Sequence, residues 1–136
     1  MSGTWDFKPL FLKQFQNFKT PQQDAIYDFT DLVEAGALDD FTLFPAKISH
    51  SWKGLAKGSS EYNFAFGNNL WHYHIGIPNY RQTHPKYKTS DWVLHFQWND
   101  KNTGGRHISL VDCYQHYKID GSFYMPSADY LADQLP

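Results

Sequence analysis

The segment Leu70-Trp71-His72-Tyr73-His74-Ile75-Gly76 alternates between two kinds of side chain. In an extended chain successive side chains point to opposite faces. Trp71, Tyr73 and Ile75 therefore share one face, and His72 and His74 share the other. The aromatic face predicts a sheet surface turned to a hydrophobic core. The opposite face sets two imidazoles side by side near the middle of a sheet, where polar groups are costly unless partnered or used. The segments on either side read as a scaffold for this strand.

Thr4–Lys8 suits a short edge strand, and Pro9 suits the first turn of a helix. Phe11, Phe15 and Phe18 recur at helical spacing, which predicts a helix over 9–18. Thr20-Pro21-Gln22-Gln23 is a start signal, with Thr20 as N-cap, Pro21 at the first helical position and Gln23 closing a capping box. The second helix runs to about Ala35, with Ile26, Phe29 and Val33 as its apolar stripe and Gly36 as its terminating glycine. Asp24, Asp28, Asp31 and Glu34 form an acidic face, read as solvated surface or as a contact for a basic partner. Residues 37–60 read as a loop with one short strand near Ala46–Ser49. Glu61–Phe66 alternates and predicts a strand, turned by Gly67-Asn68-Asn69 into an antiparallel strand over Leu70–Ile77 that Pro78 ends. Asp91–Trp98 and Arg106–Tyr114 predict a hairpin. In its second strand Ile108, Leu110 and Asp112 lie opposite His107, Ser109, Val111 and Cys113. Ser127–Leu135 predicts a short terminal helix. The expectation is one α+β domain over 1–136. Two N-terminal helices pack on an antiparallel sheet of about four strands, the other sheet face stays open, and a short C-terminal helix follows.

At 136 residues the chain suits a single core. No apolar run approaches the roughly 20 residues of a membrane span, and the N-terminus carries no targeting pattern, so a soluble, cytoplasmic protein without a membrane partner is expected. The single cysteine, Cys113, excludes an internal disulfide framework and a cysteine-rich zinc site. The net charge of −2 hides a strong asymmetry. Residues 1–40 carry −4 and residues 91–136 carry −3, while residues 41–90 carry +5 together with His50, His72, His74 and His84. A local positive field attracts phosphates whatever the net charge. The same lysines also fit an ordinary solvated surface. Asn79–Thr89 interleaves Tyr80, Arg81, His84, Lys86, Tyr87 and Lys88, a mixture suited to stacking on unpaired bases while pairing with phosphates.

The candidate polar set is His72, His74, Arg81, Asp91, His95 and His116, with Tyr114 and Tyr117 near the last. Cleaving RNA without a metal needs a base for the 2′-hydroxyl, an acid for the leaving 5′-oxygen and a cation for the charge on phosphorus. Histidine serves as acid or base near neutrality, and arginine clamps phosphate with a planar fork. Arg81 is the candidate clamp on charge grounds, with Lys86, Lys88, Lys53 and Lys57 as further phosphate contacts. Three other readings stand beside this one. His-x-His on a strand can bind a metal, completed by Asp91, His95 or His116. No serine sits in a nucleophile elbow and Cys113 falls inside a strand, which weakens a covalent mechanism. Each histidine can also be a satisfied polar group in an aromatic-rich sheet.

The order of these features resembles the RelE superfamily of bacterial type II toxins, and within it the YafO-like mRNA interferases. The shared features are Asp28-Phe29 with Gly36-Ala37-Leu38, then His72-Tyr73-His74, then Thr89-Ser90-Asp91, then His116. The ending Cys113-Tyr114-Gln115-His116-Tyr117 is also similar to the His-Tyr terminus of YoeB-like members. The likeness covers roughly residues 9–118. It implies a metal-independent endoribonuclease without cofactor, acting on mRNA at the ribosome, inhibiting translation and held inactive by a cognate antitoxin. It implies His116 as general acid with Tyr117 beside it, His72 and His74 as base or phosphate contacts, and Asp91 as the residue that orients a histidine or holds the loop. From another class, a non-catalytic RNA- or protein-binding module on the same fold also fits.

Overall fold

A computed structural model describes residues 2–77, 91–118 and 120–135. Strand β1 (Thr4–Phe7) leads into helix α1 (Pro9–Phe15) and helix α2 (Thr20–Glu34). Two 3₁₀ turns precede strand β2 (Ile48–His50), and helix α3 (Ser60–Gly67) follows. Strands β3 (Leu70–His74), β4 (Trp92–Gln97) and β5 (His107–Gln115) complete the sheet, and a 3₁₀ turn at Ala128–Leu131 stands where a terminal helix was expected. The fold is α+β, with helices packed on one mixed sheet. Among the described residues no helix is long and apolar enough to cross a membrane.

The sheet order is β1-β5-β4-β3-β2. It has five strands rather than about four, and it is not wholly antiparallel. β1 lies parallel to β5, from Thr4 opposite His107 to Phe7 opposite Leu110. A parallel pair requires a long connection, here almost the whole chain, so no local signal announces it. Gly3 secures this edge. Its N–H donates to the Val33 carbonyl at 2.9 Å, and a Cβ there would lie 2.8 Å from both the Val33 oxygen and Val33 Cγ1. Backbone cannot give way as a flexible side chain can. Gly3→Ala is expected to cost about 1–3 kcal/mol, read as a lower denaturation midpoint at unchanged slope.

The helix 20–34 forms as expected, one residue out of frame at its start. Lys19 is the N-cap, and Gln22 Oε1, not Gln23, accepts from the Lys19 N–H at 3.2 Å. Gln23 reaches back to the Phe15 carbonyl at 2.9 Å and ties α2 to α1. Gly36 ends the helix at φ 98°, a left-handed conformation suited to glycine.

The expected strand Glu61–Phe66 is a helix instead. Ser59 caps it by accepting from the Tyr62 N–H at 3.1 Å, and the Asn68 side chain closes it on the Phe64 carbonyl at 2.8 Å. Tyr62 and Phe66 stand one turn apart and stack, with centroids 5.8 Å apart and rings 8° from parallel. A run this short satisfies both periods, and the Ser59 cap with Ala65 buried against Leu70 and Val111 decides for the helix. The partners of β3 are consequently β2 and β4.

The main core fills the space between the sheet and helices α1 and α2. Phe11, Phe15, Ile26, Phe29 and Val33 meet Trp71, Tyr73, Ile75, Leu94, Phe96, Ile108 and Leu110. The aromatic face of β3 thus packs as expected. β5 holds a bulge: His95 pairs with Asp112 and Phe96 with Leu110, leaving Val111 extra. Beyond it the alternation reverses. Cys113 joins the main core with Ile108 and Leu110, and Asp112 turns to the histidine side, the opposite of the expected assignment. The second sheet face is not open. Ala65 and Phe64 of α3, together with Met125, Tyr130 and Leu131, cover Leu70 and Val111.

Candidate histidine site

A polar row crosses the second sheet face. The register sets Ser49 opposite His72, His72 opposite His95 and His95 opposite Asp112. His74 lies two residues along β3 on the same face, and His116 comes in from just beyond β5. Ring centroids lie 5.7 Å apart for His72 and His74, 5.3 Å for His72 and His116, and 5.0 Å for His74 and His116, the last pair stacked. One ring nitrogen from each of these three lies within 4.8 Å of the others. His95 stands 5.6 Å from His72 on the far side.

Backbone contacts hold His116 in place. Its N–H donates to the Asp91 carbonyl at 2.7 Å, and its own carbonyl accepts from Tyr124 at 2.9 Å. A bridge between Tyr117 and Phe123 brings the Phe123 ring over the cluster, 4.7 Å from His116 and 5.3 Å from His72. Ser51 is buried and contacts His72 Nδ1 at 2.9 Å, while Ser49 lies 3.4 Å from Nε2. Tyr124 donates its hydroxyl to Asp112. Among the described residues His95 Nδ1 and Nε2 and His116 Nδ1 are buried with no hydrogen-bond partner.

Burial dominates the electrostatics. It pushes His72 well below the ordinary histidine range, reinforced by His95, His116, His74 and Lys47. Burial lowers His95 to about 3, and burial, His74 and Lys47 lower His116 to about 4. These imidazoles are neutral at pH 7, with lone pairs available to a proton or a metal ion. Burial also raises Asp112 to about 6, against the hydrogen bond from Tyr124.

The structure brings His72, His74 and His116 together, with His72 and His74 buried rather than on an open cleft. Tyr117 lies beside His116, centroids 4.3 Å apart, and is largely exposed. Asp91 contributes through its backbone carbonyl, holding the chain that carries His116. Lys53 belongs elsewhere: it and Lys101 add to burial in lowering His50, which packs on Trp52 and Trp71 at the aromatic side of β3. Lys57 is exposed in the turn before α3. Arg81, Lys86 and Lys88 lie outside the described residues. Sequence reasoning missed Lys47, Ser49, Ser51, Asp112, Phe123 and Tyr124. Only the short strand near Ala46–Ser49 hinted at the first two. Comparison with protein-family models, curated proteins and solved structures returns no match for this chain.

Proposed function

We propose that the chain is a metal-independent endoribonuclease toxin of the RelE/YafO kind, acting on mRNA at the ribosome. In this reading the protein is cytoplasmic and a cognate antitoxin holds it in check. The observation that carries the reading is the convergence of His72, His74 and His116 from two different parts of the sheet. A neutral imidazole there accepts the 2′-hydroxyl proton. The freed oxygen attacks the adjacent phosphorus, and the 5′-oxygen leaves with a proton from His116. His116 binds no proton at pH 7 in the empty site, but a phosphodiester entering beside it favours the imidazolium. Lys47, whose charge is felt at both His72 and His116, helps balance the charge that builds on phosphorus.

The test is brief induced expression of wild type and His116→Ala, followed by growth and mRNA integrity. Arrest with discrete message cleavage is expected from the wild type. In the variant, cleavage falls by about 100-fold or more. Intact messages and normal growth with well-expressed wild type would sink the nuclease reading. A second reading, a non-catalytic RNA- or protein-binding module, draws on the burial of His72 and His74, 5% and 6% exposed, with Phe123 against His72. Arrest that survives His116→Ala with messages intact would favour it.

A further inference from the structure

We propose that His72, His74 and His116 form a binding site for a late first-row transition-metal ion of the zinc class, and that the ion and the nuclease reaction exclude one another. The binding half stands on geometry alone; the exclusion half rests on the nuclease reading.

One nitrogen from each of the three lies within 4.8 Å of the other two, close enough to share one ion. Tetrahedral zinc at its usual Zn–N distance sets its ligands about 3.4 Å apart, so small side-chain rotations close the set. The supports resemble those of a ligating histidine. Ser51 engages His72 Nδ1 at 2.9 Å, which fixes the ring and leaves Nε2, in only a weak 3.4 Å contact with Ser49, as the nitrogen to ligate an ion. Among the described residues His116 Nδ1 is a buried nitrogen without a hydrogen-bond partner, and an ion bound at that atom would satisfy it. Asp91 and Tyr124 hold the His116 backbone from both sides, so the third ligand is preplaced.

The donor set selects the ion. Three imidazoles with no carboxylate among the three suit Zn²⁺, Co²⁺, Ni²⁺ or Cu²⁺ and give little to Mg²⁺ or Ca²⁺, which want oxygen. Among the described residues no fourth histidine, cysteine or acid joins the group, so one coordination position is left to water or to a ligand's oxygen. The lone pairs that ligate the ion are those that would accept the 2′-hydroxyl proton. An occupied site therefore has no base.

The test is calorimetric titration of metal-free full-length protein with ZnCl₂, with thermal melting and Co²⁺ absorption as second readouts. One equivalent is expected to bind and raise Tm, Co²⁺ is expected to show the intense visible bands of a tetrahedral site, and Mg²⁺ is expected to do neither. His74→Gln and His116→Gln, each shown folded by circular dichroism, are expected to weaken Zn²⁺ binding by more than about tenfold. His107→Gln, on the exposed β1–β5 edge, is expected to leave it unchanged. Absence of Zn²⁺ binding by the wild type, or binding that survives both cluster variants, overturns the site. RNA cleavage is then assayed in chelator and with one equivalent of Zn²⁺. Cleavage in chelator that Zn²⁺ abolishes supports exclusion, and cleavage that needs Zn²⁺ overturns it. Zn²⁺ binding without cleavage in either condition overturns the nuclease reading and leaves the metal site standing.

Discussion

Lowering the pH from 7 to 5 is expected to remove on the order of 3 kcal/mol of folding stability, and His95→Leu is expected to return part of it. His95 is fully buried, neither ring nitrogen is bonded among the described residues, and burial lowers its folded-state pKa to about 3. In the unfolded chain it titrates near the ordinary value of 6.5. A folded pKa below the unfolded one means that the stabilisation is complete above 6.5 and drains away as pH falls toward 3. His72 acts in the same direction, and His116, with a folded value of about 4 and partial exposure, adds less. Asp112 opposes them. Its pKa of about 6 lies above its unfolded value of 3.8, so its contribution is present below 3.8 and lost as pH rises through 6. Three histidines outweigh one aspartate, and the net slope points toward acid lability. Urea titrations at pH 7 and pH 5 measure it. Leucine has a similar volume and no orphaned nitrogens, so His95→Leu is expected to gain about 1–3 kcal/mol at pH 7 and to flatten the slope. A variant that is less stable at pH 7, with the slope unchanged, would show that His95 has a partner in solution.

Phe29→Ala is expected to cost about 3–5 kcal/mol and to lower Tm by several degrees or more. Phe29 is 1% exposed and is the hub of the aromatic core. Its ring lies 4.9 Å from Tyr73, 5.4 Å from Phe44 and 5.5 Å from Phe96, joining α2 to the segment before β2 and to strands β3 and β4. None of these neighbours can collapse into the space, because each is itself held by others, as Tyr73 is by Phe44 at 5.4 Å. Because Tyr73 lies between His72 and His74 in β3, loosening it also loosens the histidine face. Phe29→Leu, which retains most of the volume, is expected to cost less than half as much. Equal losses for the two variants would argue against a packed aromatic hub.

Local chemistry was legible at several points. Pro9 and Pro21 opened helices, Gly36 closed one, and Trp71, Tyr73 and Ile75 declared the buried face of β3. Glu61–Phe66 was misread because six residues with three aromatics satisfy a strand and a helix alike. The choice fell to a serine cap just ahead of the run and to packing on the sheet. The bulge at Val111 was invisible for a related reason. One extra residue leaves every local preference intact and changes only which face the next side chains meet.

The candidate site divides in the same way. The sequence by itself determined that His72 and His74 share a face, because a strand alternates whatever surrounds it, and that His116 follows the last strand. Tertiary structure alone decided that His116 turns back over them, that Ser49, His72, His95 and Asp112 form one row, and that Phe123 and Tyr124 close it. Those are contacts between residues as many as 51 positions apart, from His72 to Phe123. They depend on sheet register and on the entropy of long loop closure, set by the sum of the packing rather than by any neighbouring residue.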